Sequence, residues 1–223
     1  MLEVTNIHKK YGKRTILKGV TFSARPGECV GIIGGNGCGK TTLLSVLAGV
    51  NRPDSGSIRF NDEEAVGKRR LFEKNAAYVP QENPLIPELS AKDNYYLWFR
   101  GDRIRMEEDL RTGAGMRLGL RDFFSVPAGK LSGGQKKRLS IAAALSNQAS
   151  VLIMDEPGAA LDLAAKQEIL NYIKEYMARG GIVVLTSHEM TEISVCTKLY
   201  ILKNGVLLPV RAGMGASELI GCF

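Results

Sequence analysis

The chain has 223 residues, 44% of them apolar, enough for one large domain or two small lobes around a substantial core. No stretch approaches the roughly 18 apolar residues of a membrane span, and Met1-Leu2-Glu3-Val4-Thr5 lacks a secretory apolar run, so a cytosolic protein is expected. The net charge of +7 is compatible with an anionic partner, but Lys and Arg are spread along the chain as on a solvated surface, and no nucleic-acid partner is expected.

Residues 2–9 have strand character, Tyr11-Gly12-Lys13-Arg14 reads as a turn, and 15–25 returns in short β-branched runs to Pro26-Gly27. This predicts an antiparallel β layer. Residues 28–49 then read strand, glycine loop, helix: Val30, Ile32 and Ile33 form a short apolar run, and Leu43, Leu44 and Leu47 recur at helical spacing. Between them, Gly34-Gly35-Asn36-Gly37-Cys38-Gly39-Lys40-Thr41 matches G-x-x-x-x-G-K-[ST], a loop whose backbone N–H groups converge on nucleotide phosphates at a helix N-terminus. In that pattern Lys40 reaches the β- and γ-phosphates, Thr41 places its hydroxyl on Mg²⁺ and Thr42 adds a phosphate contact. With such a loop downstream, Tyr11 becomes a candidate platform for an adenine ring; on its own it is a half-buried turn aromatic.

Pro53-Asp54-Ser55-Gly56 turns into a strand over 57–60, and a polar segment runs to Arg70. Ala77-Tyr78-Val79 is a strand stopped by Pro80, which presents Gln81 either to Mg²⁺ and the attacking water or simply to solvent. Residues 82–130 change to helical patterns and are expected to form an inserted helical lobe. Ser90 and Asp93 suggest a capping box ahead of Asn94, and 106–120 carries a second, glycine-interrupted helix. Tyr95, Tyr96, Trp98 and Phe99 crowd one short segment, as internal packing or as a docking surface for a partner.

Leu131-Ser132-Gly133-Gly134-Gln135 precedes a helix over 136–145, with Ser132 at the N-cap and two glycines that free backbone N–H groups for an anion. Val151-Leu152-Ile153-Met154 is an apolar strand delivering Asp155 and Glu156, the first as a Mg²⁺ ligand, the second to polarise a water for attack on a γ-phosphate. Leu161, Ala164, Ala165, Glu168, Ile169, Tyr172, Ile173, Tyr176 and Met177 trace an amphipathic helix ending at Gly180-Gly181. Residues 182–187 form another buried strand, followed by His188, which can orient water or act as a structural hydrogen-bonder. Residues 198–210 read as a hairpin around Asn204-Gly205, with a short tail beyond. Cys29, Cys38, Cys196 and Cys222 fall in strand, glycine loop, helix and tail without a C-x-x-C pair, and are read as reduced thiols.

Together and in this order, these residues resemble the ATP-binding subunit of ATP-binding cassette (ABC) transporters, nearly end to end. Tyr11 resembles the adenine-stacking aromatic, 34–41 the Walker A loop, Gln81 the Q-loop glutamine and 131–135 the signature motif. Met154-Asp155-Glu156 resembles the Walker B strand end, Asp162 the D-loop aspartate and His188 the switch histidine. The resemblance implies an α/β P-loop NTPase core with a mostly parallel sheet, an antiparallel N-terminal β layer and an inserted helical subdomain. It implies one domain over 1–223, with 1–81 and 131–223 as the ATP-binding core and 82–130 as the helical subdomain. It also implies MgATP hydrolysis with Glu156, His188 and Gln81 catalytic, and Thr41, Gln81 and Asp155 around the metal.

Two such chains, identical or paralogous, would face head to tail. Each ATP would lie between one Walker A loop and the other chain's Ser132, Gly133, Gly134, Gln135 and Asp162. Integral membrane subunits would seat a helix near Gln81 and the helical lobe, placing the chain at the cytoplasmic face of the cell membrane. One departure stands out: Gly158-Ala159-Ala160 replaces the Thr-Ser-Gly type run usual before the D-loop, so a hydroxyl that commonly meets the opposing subunit is missing. The compact form, with few residues after the hairpin, looks more like drug, antibiotic or polysaccharide exporter subunits. A soluble ABC-type ATPase of DNA repair, chromosome organisation or translation would be expected to add coiled-coil insertions, zinc motifs or a second cassette, and a non-hydrolysing regulatory binder would be expected to lack Glu156.

Overall fold

The computed structural model describes residues 1–99 and 101–210; Cys222 and the tail lie outside the described residues. Strand β1 (Leu2–Tyr11) buries Leu2, Val4 and Ile7, and β2 (Arg14–Ala24) buries Leu17, Val20, Phe22 and Ala24. The pair is antiparallel, with Leu2 opposite Ala24 and Val4 opposite Phe22. After β3 (Cys29–Ile33) and α1 (Lys40–Leu47), β4 (Ser55–Phe60) adds antiparallel to the other edge of β1, followed by the short β5 (Glu63–Glu64). The order β2-β1-β4-β5 is the antiparallel N-terminal layer expected from the sequence.

The second sheet contains β6 (Ala76–Val79), β7 (Val151–Asp155), β8 (Ile182–Thr186), β9 (Lys198–Lys203) and β10 (Val206–Pro209) together with β3, in the order β10-β9-β3-β8-β7-β6. All pairs are parallel except β9 with β10, whose turn holds Asn204 at φ 53° and Gly205 at φ 82°, both positive as a two-residue hairpin turn demands. Every residue of β3, β7 and β8 is buried, which is why these strands read as unbroken apolar runs.

Side-chain alternation divides that sheet's two faces. Val30, Ile32, Val151, Ile153 and Val184 pack with Leu43, Leu44 and Leu47 of α1 and with the first sheet. Leu152, Met154, Val183 and Leu185 face α6 (Gly133–Ala144) and α7 (Leu163–Ala178). Each fully buried Leu or Ile contributes about 1.5–3 kcal/mol, so both faces are anchored by many such terms. Between β6 and β7 the chain forms the helices α3 (Ala91–Trp98), α4 (Arg103–Thr112) and α5 (Ala114–Arg117), preceded by α2 (Arg69–Asn75) before β6. Tyr95, Met106 and Leu110 of this segment join the same apolar cluster as α6 and α7.

Several local expectations need correction. The α7 stripe includes neither Ala164 nor Glu168, both exposed; it begins at Ala165, which packs on Gly134, and runs through Ile169, Leu170, Tyr172, Ile173 and Tyr176. Cys196 is not helical: α8 (Met190–Ile193) ends before it, and its thiol lies 3.6 Å from that of Cys29. The aromatic group splits, with Tyr95 fully buried and Trp98 45% exposed, so both packing and surface readings hold for different members. Ser90 does cap α3, but the Asp93 carboxylate accepts from the Ser90 hydroxyl, a partial capping box.

In a parallel sheet the loops after the carboxyl ends of neighbouring strands share one edge. Here the adjacency of β3, β8, β7 and β6 brings together the glycine loop, His188, Asp155-Glu156 and Gln81.

Candidate functional site

The glycine loop follows β3 and ends at α1, whose N-cap is Gly39 at φ 111° with no side-chain hydrogen bond to the first-turn N–H groups. Those donors and the positive end of the helix dipole therefore face the loop's concavity, a ready anion site. Two glycines are required by contact as well as by dihedral. A Cβ on Gly34 (φ 154°) would lie 2.6 Å from the Leu202 carbonyl oxygen, and one on Gly39 would lie 2.7 Å from Ile16 Cγ2. Lys40 is buried with its Nζ donating to the carbonyls of Gly34 (2.7 Å) and Gly35 (3.3 Å), which places its positive charge across the loop.

A cleft of 620 Å³ opens beside this loop. The first sheet contributes Tyr11, Arg14 and Ile16; the loop and helix contribute Asn36, Gly37, Gly39, Lys40, Thr41 and Thr42; the strand ends contribute Gln81, Glu156 and His188. Tyr11 is half exposed, its hydroxyl accepts from Asn51 Nδ2 (3.3 Å), and the Lys9 ammonium sits 5.3 Å from its ring centroid. Arg14 and Ile16 were not singled out from sequence. Ile16 looks like any strand residue until its side chain is seen against Gly39, and Arg14 like any turn cation until the cleft is closed around it.

Asp155 ends β7, is 2% exposed, and accepts from the Thr186 hydroxyl at 2.6 Å. The same Thr186 takes the next backbone step, because Glu156 N donates to Thr186 O (3.2 Å) and Thr186 Oγ1 (3.1 Å). Burial pushes the neighbouring Tyr78 phenol up to about 12, and the Asp155 charge adds to that. Glu156 has φ 46°, a left-handed backbone that costs a non-glycine residue about 1–3 kcal/mol and turns the chain sharply at the strand end. Its carboxylate then sits between an amide and an imidazole: Gln81 Nε2 donates to one oxygen at 3.3 Å, and His188 Nε2 lies 3.3 Å from the other.

Other residues named from sequence lie elsewhere. Gly34, Gly35 and Cys38 belong to the loop without lining the cleft, and Asp155 lies buried. Ser132, Gly133, Gly134, Gln135 and Asp162 are outside it as well. Ser132 and Gln135 form a full capping box on α6: Ser132 Oγ accepts from Gln135 N (3.2 Å), and Gln135 Oε1 from Ser132 N (2.9 Å). Asp162 caps α7 by accepting from Ala165 N at 2.8 Å. The Gly134 backbone fits against α7, since a Cβ there would meet Ala165 Cβ at 2.6 Å. Gly158 is equally confined. A Cβ on it would lie 2.2 Å from Glu192 Oε1, so the Glu192 carboxylate occupies the place that a side chain at 158 would take.

The profile of the family described as ABC transporter matches residues 17–159. The linearmycin resistance ATP-binding protein of Bacillus subtilis (strain 168) is 35% identical over 214 residues, covering 94% of this chain and 68% of that one. The Nod factor export ATP-binding protein I of Paraburkholderia xenovorans (strain LB400) is 34% identical over 230 residues, covering 99% and 74%. Among solved structures, a nucleotide-free ATP-binding cassette from an ABC transporter superposes with a TM-score of 0.84 at 25% identity, covering 99% of this chain and 93% of that one. A dimeric cassette in a post-hydrolysis state, bound to ADP and Pi, gives 0.78 at 27% identity, covering 93% and 96%. A glycine loop, a strand-end Asp-Glu and an Ser-Gly-Gly cap on one such framework leave one assignment: the chain belongs to the ABC transporter family, as an ATP-binding subunit that hydrolyses ATP.

Proposed function

We propose that the cleft beside α1 binds MgATP and that Glu156 polarises the water that attacks the γ-phosphate, driving transport through integral membrane subunits. The observation that carries this reading is the Glu156 carboxylate held between Gln81 and His188, 3.3 Å from each, in the cleft that Lys40 and Thr41 also line. Gln81 and His188 orient the carboxylate and water; Lys40, Thr42 and the loop N–H groups take the phosphates; Tyr11 stacks the adenine. Thr41, Gln81 and Asp155 offer hard oxygen donors, one of them a carboxylate buried beside the cleft. That set fits Mg²⁺, which is commonly bound by one or two carboxylates plus substrate phosphates. When bound, the metal would neutralise charge on the β- and γ-phosphates.

The proposed assembly is a dimer, of identical or paralogous chains, in which 132–135 and Asp162 face the partner's nucleotide. Ser132, Gly133 and Asp162 are exposed at the starts of α6 and α7 and lie outside their own chain's cleft, which supports this. The division into an ATP-binding core over 1–81 and 131–223 and a helical subdomain over 82–130 belongs to the same reading. Between these parts lies a groove of 680 Å³ whose lining includes Phe72, Pro80, Leu85, Trp98, Ala143 and Ala144, suited to an apolar helix of a membrane subunit. Among the described residues no helix is long and apolar enough to cross a membrane, and the proposed location is the cytoplasmic face, held there by that partner. Two relatives named for Nod factor export and linearmycin resistance favour export as the direction.

The test is a mild-detergent pull-down of the Glu156→Gln chain from native membranes with ATP, identifying partners by mass spectrometry. A stoichiometric multi-span protein is the expected result. Recovery only from the soluble fraction, with ribosomes, DNA or nothing, would overturn the transport reading.

A further inference from the structure

Lys137 lies on α6, two residues beyond the capping box, and is only 2% exposed. A buried ammonium is costly unless its donors are used. Burial lowers this one to about 8, while the carboxylates of Asp155 and Glu192 favour its charge. Its Nζ donates to two successive main-chain carbonyls, Pro80 O at 3.1 Å and Gln81 O at 3.0 Å. These residues follow directly on β6, and the Gln81 side chain donates to Glu156 at 3.3 Å. Gln81 is therefore held at two points: by its carbonyl to α6, and by its amide to the carboxylate in the cleft.

The consequence is a polar path within one chain. It runs from the Ser132–Gln135 cap along α6 to Lys137, through its ammonium to the Gln81 carbonyl, and through the Gln81 amide to Glu156 and His188. In the proposed dimer the first end faces a partner's nucleotide, and the last end is the chain's own cleft.

We propose that Lys137 is a positioning residue that ties the Gln81 segment to α6, so that the alignment of Gln81 with Glu156 follows the placement of the helix bearing Ser132-Gly133-Gly134. A lysine suits the task because one ammonium on a long stem can reach two carbonyls from a neighbouring helix, and its removal leaves the residues of the glycine loop untouched. This inference rests on the assignment of Glu156 and Gln81 to hydrolysis.

The test uses the full chain and the variants Lys137→Met, Lys137→Gln and Lys137→Arg. Affinity for a fluorescent ATP analogue, kcat and KM from phosphate release, and thermal melting are measured on each. For Lys137→Met the expected result is an affinity and KM within about threefold of the parent, with kcat lower by about ten- to a hundredfold, the scale of a misplaced catalytic group. Lys137→Arg, which keeps charge and donors, recovers kcat to within about threefold of the parent. A folded Lys137→Met chain with unchanged kcat overturns the proposal, as does a loss of kcat and affinity in parallel that Lys137→Arg does not rescue. If Lys137→Met does not fold, Lys137→Gln is held to the same bounds.

Glu156→Gln, assayed in parallel, separates the two levels of the argument. Full turnover in that variant refutes the role of Glu156, whereas full turnover only in the Lys137 variants refutes the coupling. A parent chain without ATP turnover would overturn both.

Discussion

The Glu156 carboxylate and the His188 imidazole lie 3.3 Å apart, on the chain just beyond two neighbouring parallel strands whose ends are paired at Asp155 and Thr186. Residues that act on the same water as one unit are lost together. Glu156→Gln is expected to lower turnover by about a hundred- to a thousandfold, and His188→Ala by at least tenfold. The double variant is expected to be no slower than Glu156→Gln alone by more than about threefold. Phosphate release on the four proteins closes the cycle; multiplying losses would show that the two groups act independently.

Gly34 and Gly39 are fixed by what surrounds them. Alanine at either position meets a neighbour at 2.6 Å or 2.7 Å and is forced to a positive φ, so each change is expected to cost about 1–3 kcal/mol of stability. Because Gly39 caps α1, Gly39→Ala is also expected to weaken ATP binding about tenfold or more, whereas Gly12→Ala, at φ 56° but with open space around it, is expected to carry the dihedral cost alone. Thermal melting and nucleotide titration compare the three.

Replacing Gly158 by Thr would bring the chain closer to the family pattern, yet destabilisation is expected. The space is taken by Glu192, which is 3% exposed and whose carboxyl is pushed up by burial while the Ser187 hydroxyl and the Gly158 N–H pull it back. Gly158→Thr is expected to cost about 1–3 kcal/mol, a fall in Tm of roughly 3–10 °C. Shortening the obstacle gives the control: Gly158→Thr is expected to cost less in a Glu192→Ala background, and equal costs would exclude the contact as the cause.

Acid sensitivity is expected in the first sheet. Burial alone would raise the Glu64 carboxyl, but it accepts from the Ser57 hydroxyl, from Val66 N (2.9 Å) and from Ile58 N (3.4 Å), and its pKa falls below the ordinary 4.5. A depressed folded-state pKa means that its stabilisation is present in full above 4.5 and is lost as pH falls through the lowered value. Glu64→Gln removes that part of the pH dependence. Urea midpoints at neutral pH and at about pH 3.5 are therefore expected to differ less in the variant than in the parent.

The parts legible in the sequence are those where one local pattern carries its own physics. The glycine loop needs its glycines for contact and dihedral, the strand-end acids follow an unbroken apolar run, and Asn204-Gly205 allows a tight hairpin wherever it occurs. Ser132 was recognisable as a cap because it stands just ahead of a helical pattern, whereas its reciprocal pairing with Gln135 came only with the structure. What the sequence left hidden depends on distant partners. Lys137 reads as one cation in Lys136-Lys137-Arg138 until the carbonyls of Pro80 and Gln81 are placed against it. Thr186 is a buried strand residue whose hydroxyl matters only because Asp155 lies on the next strand. The α7 stripe misled at Ala164, which precedes the first packed residue, Ala165, and at Glu168, an exposed carboxylate whose oxygen lies 3.5 Å from Arg138 Nε of α6.

Helix α6 has 12 residues and a rise of about 1.5 Å per residue, which makes it a rod about 18 Å long. Its first turn carries the Ser132–Gln135 cap, its middle carries Lys137, and its last turn contributes Ala143 and Ala144 to the groove beside Trp98. A helix held by its own hydrogen bonds and buried along most of its length tilts or slides as a unit far more readily than it shortens. Force applied in the groove and force applied at the cap therefore act on one rod, and the Gln81 segment, hung from its middle by Lys137, is carried with it.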